Sequence, residues 1–375
     1  MFDFNLQFAR GGAQVATEFL ALLAEGNLKQ NIVFSPFSIQ TCAALAFAGA
    51  SGETADEIAE GLKFASNSQP EVAETFQFVF DKYKDSKLLK LANKVYIQEG
   101  QKLKSDYEGQ LKESYNAEAE AVNFAEGENT ASTINSWIEE KTAGKITDLV
   151  QASDFSALTR LVLLNALHFK GSWEMKFNEE LTAEGDFYIT EDETVKVQYM
   201  SQNAKFCYGY FEELDCQALE MPYNNSDLAM LVLLPNESNG LGELAEKLKS
   251  TNLVDLADKL NFKQKIMVKF PKFKVEFCMD LSETFKKLGV NKIFSDDADF
   301  SNMLESHESL KVSNIFHKAV IEVNEEGTEA AAATGMVMMA RCMPPQFVAD
   351  HPFFYVIWNK RNILFAGAFV NAPPA

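Results

Sequence analysis

Long apolar runs are missing from this sequence. One of the longest, TCAALAFAGA, stops well short of the roughly 20 residues a helix needs to cross a bilayer, so no membrane span is read. Positive charge is scarce too. With 34 Lys and Arg against 54 Asp and Glu, the formal charge is -20, which opposes binding to nucleic acid or an anionic membrane unless a local basic patch overrides it. The nearest thing to a patch is Lys259, Lys263, Lys265, Lys269, Lys272 and Lys274. In strand-like sequence such lysines read as one solvated face, with a polyanion site as the alternative. The five cysteines, Cys42, Cys207, Cys216, Cys278 and Cys342, are scattered, odd in number and without C-x-x-C spacing. That excludes a disulfide scaffold and a zinc or redox motif.

Catalytic signatures are absent as well: no G-x-S-x-G, H-E-x-x-H, G-x-x-x-x-G-K-[ST] or G-x-G-x-x-G occurs. Of the four histidines, His168 and His317 sit inside apolar strand-like runs, where a hydrogen-bonded core imidazole is expected, and His307 and His351 lie near turns. A triad would need partners that the sequence does not place. The opening MFDFNLQFARGGAQVATEFL lacks a basic region followed by an apolar run, so no signal peptide is read.

What is present describes a globular protein. Hydrophobic residues make up 47% and charged ones 23%, and Phe is unusually common with 31 copies. The first 150 residues read mainly as helices: AQVATEFLALLAEG, SIQTCAALAFAGA and TINSWIEEKTAG repeat apolar residues three and four apart, with Gly26, Gly49 and Gly144 at their ends. From Leu161 onward the texture is that of strands, in LVLLNALHF, LAMLVLLP, KIMVKFPKFKVEF and FFYVIW. Pro271 interrupts an alternating run and implies an edge, a bulge or a switch between sheets. With no repeat and no linker, the expectation is one α+β composite domain over residues 1–375. Two N-x-[ST] sequons, at Asn224 and Asn236, fall in turn-like segments and lean towards secretion.

One stretch fits no ordinary element: EEGTEAAAATGMVMMARC, from Glu325 to Cys342. As a helix it is cut short by Gly327 and Gly335. As a loop it is long enough to suggest function. As a strand it puts Thr328, Ala330, Ala332 and Thr334 on one small face and Glu329 on the other. A segment able to be a loop in one state and a strand in another is a bistable device.

Here the sequence resembles a known family. VNEEGTEAAAAT resembles the proximal hinge of inhibitory serpins, and FVADHPFFYVIW with ILFAGAFV looks like their C-terminal strands. NIVFSPFSIQTCAALAFAGASGETADEI, INSWIEEKTAGKITDLV, LVLLNALHFKGSW, FPKFKVE and HKAVIEVNEEG look like serpin blocks in serpin order, so the likeness spans nearly the whole chain, with the flavour of insect and intracellular-type serpins. It implies eight or nine helices around three β-sheets and an exposed reactive-centre loop at about 325–346. It assigns Ser35, Ser38, Asn165 and His317 to the polar cluster behind the opening sheet and places Trp173 where the loop first enters. The implied hinge is Glu325, Glu326, Gly327, Thr328, Glu329, Ala330, Ala331, Ala332, Ala333 and Thr334.

Counting Glu325 as the first residue of that segment makes Arg341 the seventeenth, where this family usually has its reactive bond, here Arg341-Cys342. Independently, Arg341 is the only Arg or Lys between Lys318 and Lys360, and a lone arginine suits a protease pocket floored by a carboxylate. The implied function is a suicide-substrate inhibitor, not an enzyme, that traps a trypsin-like serine protease in a covalent complex. The implied setting is a secreted insect protein of innate immunity. It works as a monomer without a cofactor, a glycosaminoglycan being the one accelerating ligand to consider. A slip in register would make Met339 the reactive residue and elastase- or chymotrypsin-like enzymes the targets. A non-inhibitory carrier, chaperone or storage serpin is the other alternative. Met336, Met338, Met339 and Cys342 are candidates for oxidation.

Overall fold

The computed structural model describes residues 2–25, 28–306, 308–326 and 345–372. Its internal packing gathers into two compact units, Met1–Phe19 with Phe34–Phe169 and Glu276–Val320, and Leu20–Val33 with Lys170–Val275 and Ile321–Ala375. Among the described residues no helix is long and apolar enough to cross a membrane.

The chain opens with α1 (Phe2–Ala24), β1 (Ile32–Phe34), α2 (Pro36–Gly49), α3 (Gly52–Gly61) and α4 (Gln69–Tyr83). The start of α2 is fixed locally: the Ser35 hydroxyl accepts from Ser38 N at 3.0 Å, and Pro36 supplies a pre-set φ where no N–H is needed. Every residue of α2 is buried. Then come β2 (Leu89–Gln98), α5 (Ser105–Tyr115), β3 (Ala117–Val122) and α6 (Gly127–Lys141). The first 150 residues are mainly helical, as expected, and β2 and β3 are strands the sequence did not reveal. Their signal is weak because most of β2 is buried on both faces, which removes the alternation, and β3 is AEAEAV, poor in strand formers.

The remainder comprises β4 (Leu161–Lys170), β5 (Ala183–Tyr188), β6 (Thr194–Phe211), β7 (Cys216–Pro222), β8 (Ala229–Pro235), α7 (Leu241–Lys249), α8 (Leu253–Leu256), β9 (Lys263–Pro271), β10 (Phe273–Asp280) and α9 (Ser282–Lys287). It closes with β11 (Asn314–Val323), β12 (Gln346–Val348), β13 (Phe353–Trp358) and β14 (Ile363–Phe369). The expected α+β class is what is found. Strand pairing runs as two sheets, because the 18-residue β6 is continuous and pairs with β5, β7 and β9. One sheet has five strands in the order β10-β11-β4-β2-β3, and the other joins β1-β14-β13-β8-β7-β6-β9-β12. The chain changes sheet between β9 and β10, at Pro271, which is one of the roles expected of that proline.

The abundant phenylalanines fill the interiors. Phe270, Phe273, Phe353 and Phe369 contact one another at centroid distances of 4.9 to 6.1 Å in the second unit, and Phe37, Phe76 and Phe80 do the same in the first. One face of the five-stranded sheet lies under α6, whose Ala131, Ile134 and Ile138 join Ala92 and Tyr96 of β2, Val162, Leu164 and Ala166 of β4, and Phe316 and Val320 of β11 in a single cluster. The apolar spacing read in TINSWIEEKTAG is this face.

Candidate functional site

β4 and β11 are hydrogen-bonded neighbours, with nothing between them. Where they begin, Ser313 N donates to Leu161 O at 2.8 Å. Just past where they end, the Trp173 indole N–H donates to Asn324 O at 2.8 Å. Both ends match, so the two strands run parallel. A parallel ladder is the slightly weaker kind, and the sheet has another in β2–β3.

Beneath the seam lies a chain of buried polar groups. Ser35 N donates to His317 Nε2 at 3.1 Å, which requires the His317 proton to be on Nδ1, and Nδ1 donates to Asn165 Oδ1 at 3.0 Å. Asn165 donates on to Asn93 Oδ1, its register partner in β2, and the Asn93 amide faces Tyr115 O at 3.4 Å. The His317–Asn165 bond spans the seam. With no exposed surface, His317 is desolvated, and its pKa is pushed down from the usual histidine range to about 3. It is a neutral hydrogen-bonding imidazole. Ser35, Ser38, Asn165 and His317, named from the sequence, are gathered here. Asn93 was missed, because only strand register reveals it.

At the far end the chain leaves β11 through a set of pins. Trp173 is 2% exposed, stacks on Tyr223 at 4.6 Å, and through its backbone N–H donates to Glu326 O at 3.4 Å. Lys170, the last residue of β4, lies 3.2 Å from Glu322 and 3.6 Å from Glu326. Glu325, 4% exposed, accepts from Thr182 Oγ1 at 2.7 Å and pairs with Lys272 at 2.8 Å. Burial alone would raise its pKa, but the hydrogen bonds from Lys272 and Thr182 and the Lys272 charge outweigh it and hold the carboxyl below its ordinary value. Lys170 and Thr182 carry no sequence signal of their own. Gly327, Thr328, Glu329, Ala330, Ala331, Ala332, Ala333, Thr334, Met336, Met338, Met339, Arg341 and Cys342 lie outside the described residues, as does His307. The chain is described again from Pro345, whose carbonyl accepts from Met267 N at 3.0 Å as β12 joins β9 in parallel.

The six lysines of the candidate patch separate. Lys259 pairs with Glu213 and Lys272 with Glu325, Lys274 is engaged elsewhere, and Lys263, Lys265 and Lys269 remain on β9. The two sequons lie in surface connections, between β7 and β8 and between β8 and α7, and the Asn236 amide donates to Tyr210 at 2.8 Å and Asp215 at 2.6 Å. Cys42, Cys207 and Cys216 are buried free thiols and Cys278 is an exposed one. His168 is a buried residue of β4. His351 has both ring nitrogens occupied, by Asp350 and by Pro235 O, each at 2.8 Å.

Residues 10–372 match the family model described as Serpin (serine protease inhibitor). The chain is 37% identical to serine protease inhibitor 42Dd of Drosophila melanogaster, over 96% of each chain. It is also 37% identical to the leukocyte elastase inhibitor of Bos taurus, over 96% of this chain and 98% of that one. Among solved structures, one titled cleaved Serpin 42Da superposes with a TM-score of 0.89 at 41% identity, covering 98% of this chain and 99% of the other. Both curated relatives are named as inhibitors, so the kinship is with inhibitors rather than enzymes. The chain belongs to the serpin family, the serine protease inhibitors.

Proposed function

We propose that this serpin inhibits trypsin-like serine proteases through the Arg341-Cys342 bond. The observation that carries the reading is the closed parallel seam between β4 and β11, from whose end the chain departs into a run of small residues followed by a single arginine. The Arg341 guanidinium enters the protease's primary pocket and forms a charge-assisted pair with its carboxylate. The protease serine attacks the Arg341 carbonyl, the Arg341-Cys342 C–N bond breaks, the Cys342 amine leaves, and Arg341 stays on the serine as an ester.

Severed from Cys342, the segment starting at Gly327 folds back along β11 and enters the seam. There it runs antiparallel to both neighbours. One parallel ladder is exchanged for two antiparallel ladders, with β4 and β11 offering ten residues each. A ten-residue strand is about 33 Å long, so the tethered protease is carried a comparable distance before its ester is hydrolysed. Period two puts Thr328, Ala330, Ala332 and Thr334 on one side, all small enough to pass over the sheet. The site of action is extracellular on this reading, supported by the two sequons in surface connections and by an arginine suited to secreted trypsin-like enzymes.

Incubation with excess trypsin, followed by a denaturing gel and mass spectrometry of the small fragment, tests it. The expected result is a stable covalent complex and a fragment beginning at Cys342. A fragment beginning at Ala340 would move the reactive residue to Met339. Cleavage without a complex would leave a non-inhibitory serpin.

A further inference from the structure

Within the second unit, register brings together lysines that are far apart in sequence. Lys205 of β6 stands directly opposite Lys265 of β9, and Lys263 lies two residues along β9 on the same face. All three are exposed, and no acidic partner faces them among the described residues. Lys269, further along, is drawn over the Tyr199 ring at 4.2 Å. At the other end, Cys207 is register partner both of Lys263 and of Glu220, but Glu220 is 6% exposed and already 3.3 Å from Lys360. Like charges directly opposite on paired strands repel, their Cβ atoms being only about 5 Å apart. In a chain of net charge -20, this face is an unrelieved local excess of positive charge.

Its position is as telling as its charge. Between Lys265 and Lys269 lies Met267, whose N–H is bonded to Pro345 O, and Gln346 is the register partner of Met267. Pro345 is four steps along the chain from Arg341, at most about 14 Å when fully extended. A protease domain of ~220 residues has a radius of gyration of about 17 Å, so one engaged on Arg341-Cys342 comes within reach of this face.

We infer that Lys205, Lys263 and Lys265 form a docking surface for an acidic patch on the target protease, beside its active site. The inference rests on the Arg341-Cys342 reading and narrows it to trypsin-like enzymes with a negatively charged rim. Docking of this kind steers encounter and raises the association rate, with little effect on the steps after acylation.

The test uses an anionic and a cationic trypsin, which share one primary specificity, against the full chain and the variant K205E/K263E/K265E, with the corresponding triple glutamine variant as a milder control. At low salt the reversal should slow complex formation with anionic trypsin by about tenfold and speed it with cationic trypsin, the glutamine variant falling between. High salt should close these gaps, and the stoichiometry and the Cys342 fragment should stay unchanged. A rate with anionic trypsin that the triple reversal leaves alone, in a variant with native melting behaviour, overturns the docking surface while the inhibitory reading stands. Heparin acceleration with both trypsins, lost in the triple variant, makes the face a polyanion site and overturns the protease assignment. Absence of a covalent complex with either trypsin removes the inhibitory reading and this surface with it.

Discussion

At the scale of single residues, two buried groups respond to titration and substitution in opposite ways. His317 is fully buried with a pKa of about 3 in the folded state, against about 6.5 when the chain is unfolded. Above pH 6.5 both states hold a neutral imidazole and the group contributes no pH dependence. Below it the unfolded chain takes up a proton that the folded one refuses, so stability falls by about 1.4 kcal/mol per pH unit until about pH 3. Between pH 6.5 and 5, urea unfolding of the wild type should therefore lose roughly 2 kcal/mol more than that of His317→Gln. Equal slopes for the two proteins would remove His317 as the cause. Glu325 is the converse case, a carboxylate that is 4% exposed and held ionised by Lys272. Lys272→Met should destabilise the protein by roughly 1–3 kcal/mol by leaving that charge buried and unpaired, and adding Glu325→Gln should recover most of the loss. Melting curves of the two single variants and the double decide it, and additive losses would mean the two side chains do not act as a pair.

At the scale of elements, legibility in the sequence followed burial pattern. α1, α2 and α6 were readable because apolar residues recur at helical spacing, and Pro271 marked the change of sheet. β2 and β3 were not, and with them went the middle of the polar chain, since Asn93 acquires its meaning only by facing Asn165 across a register. Family resemblance supplied Ser35, Ser38, Asn165 and His317, whose sequence separations no local pattern spans. Lys205 was invisible for the same reason as Asn93. On the proposed mechanism the element that matters most is the seam, and a charge introduced into the strand proposed to enter it probes it directly. In Thr328→Arg the guanidinium would have to pass into the sheet without a partner, at several kcal/mol, which slows insertion relative to ester hydrolysis. The variant should be cleaved by trypsin at Arg341-Cys342 yet trap little of it, raising the stoichiometry of inhibition severalfold. Unchanged trapping on a gel would exclude insertion of that residue.

At the scale of the whole molecule, the proposed exchange of one parallel ladder for two antiparallel ones would make the native fold the less stable of two states. β4 and β11 each offer ten residues, so one net ladder of about ten hydrogen bonds is gained, worth on the order of 10 kcal/mol at about 1 kcal/mol each. The usual entropy of unfolding, about 2.1 cal/mol/K per residue, converts that gain in a chain of 375 residues to an upward shift in melting temperature of roughly 10 °C or more. Against the gain stand the pins of the closed form: the His317–Asn165 bond, the Lys170 contacts with Glu322 and Glu326, the Trp173–Asn324 bond, and α6 packed across both strands. On the proposed mechanism they would set the barrier, and the bond that ties the uncut chain to β9 at Pro345 would oppose insertion until Arg341-Cys342 is cut. Calorimetry of the intact protein and of protein cleaved once at Arg341-Cys342 should show the shift, and cleaved Thr328→Arg should show a smaller one. Coincident melting of intact and cleaved wild type would mean that no strand enters the seam, and inhibition by this chain would then need another mechanism.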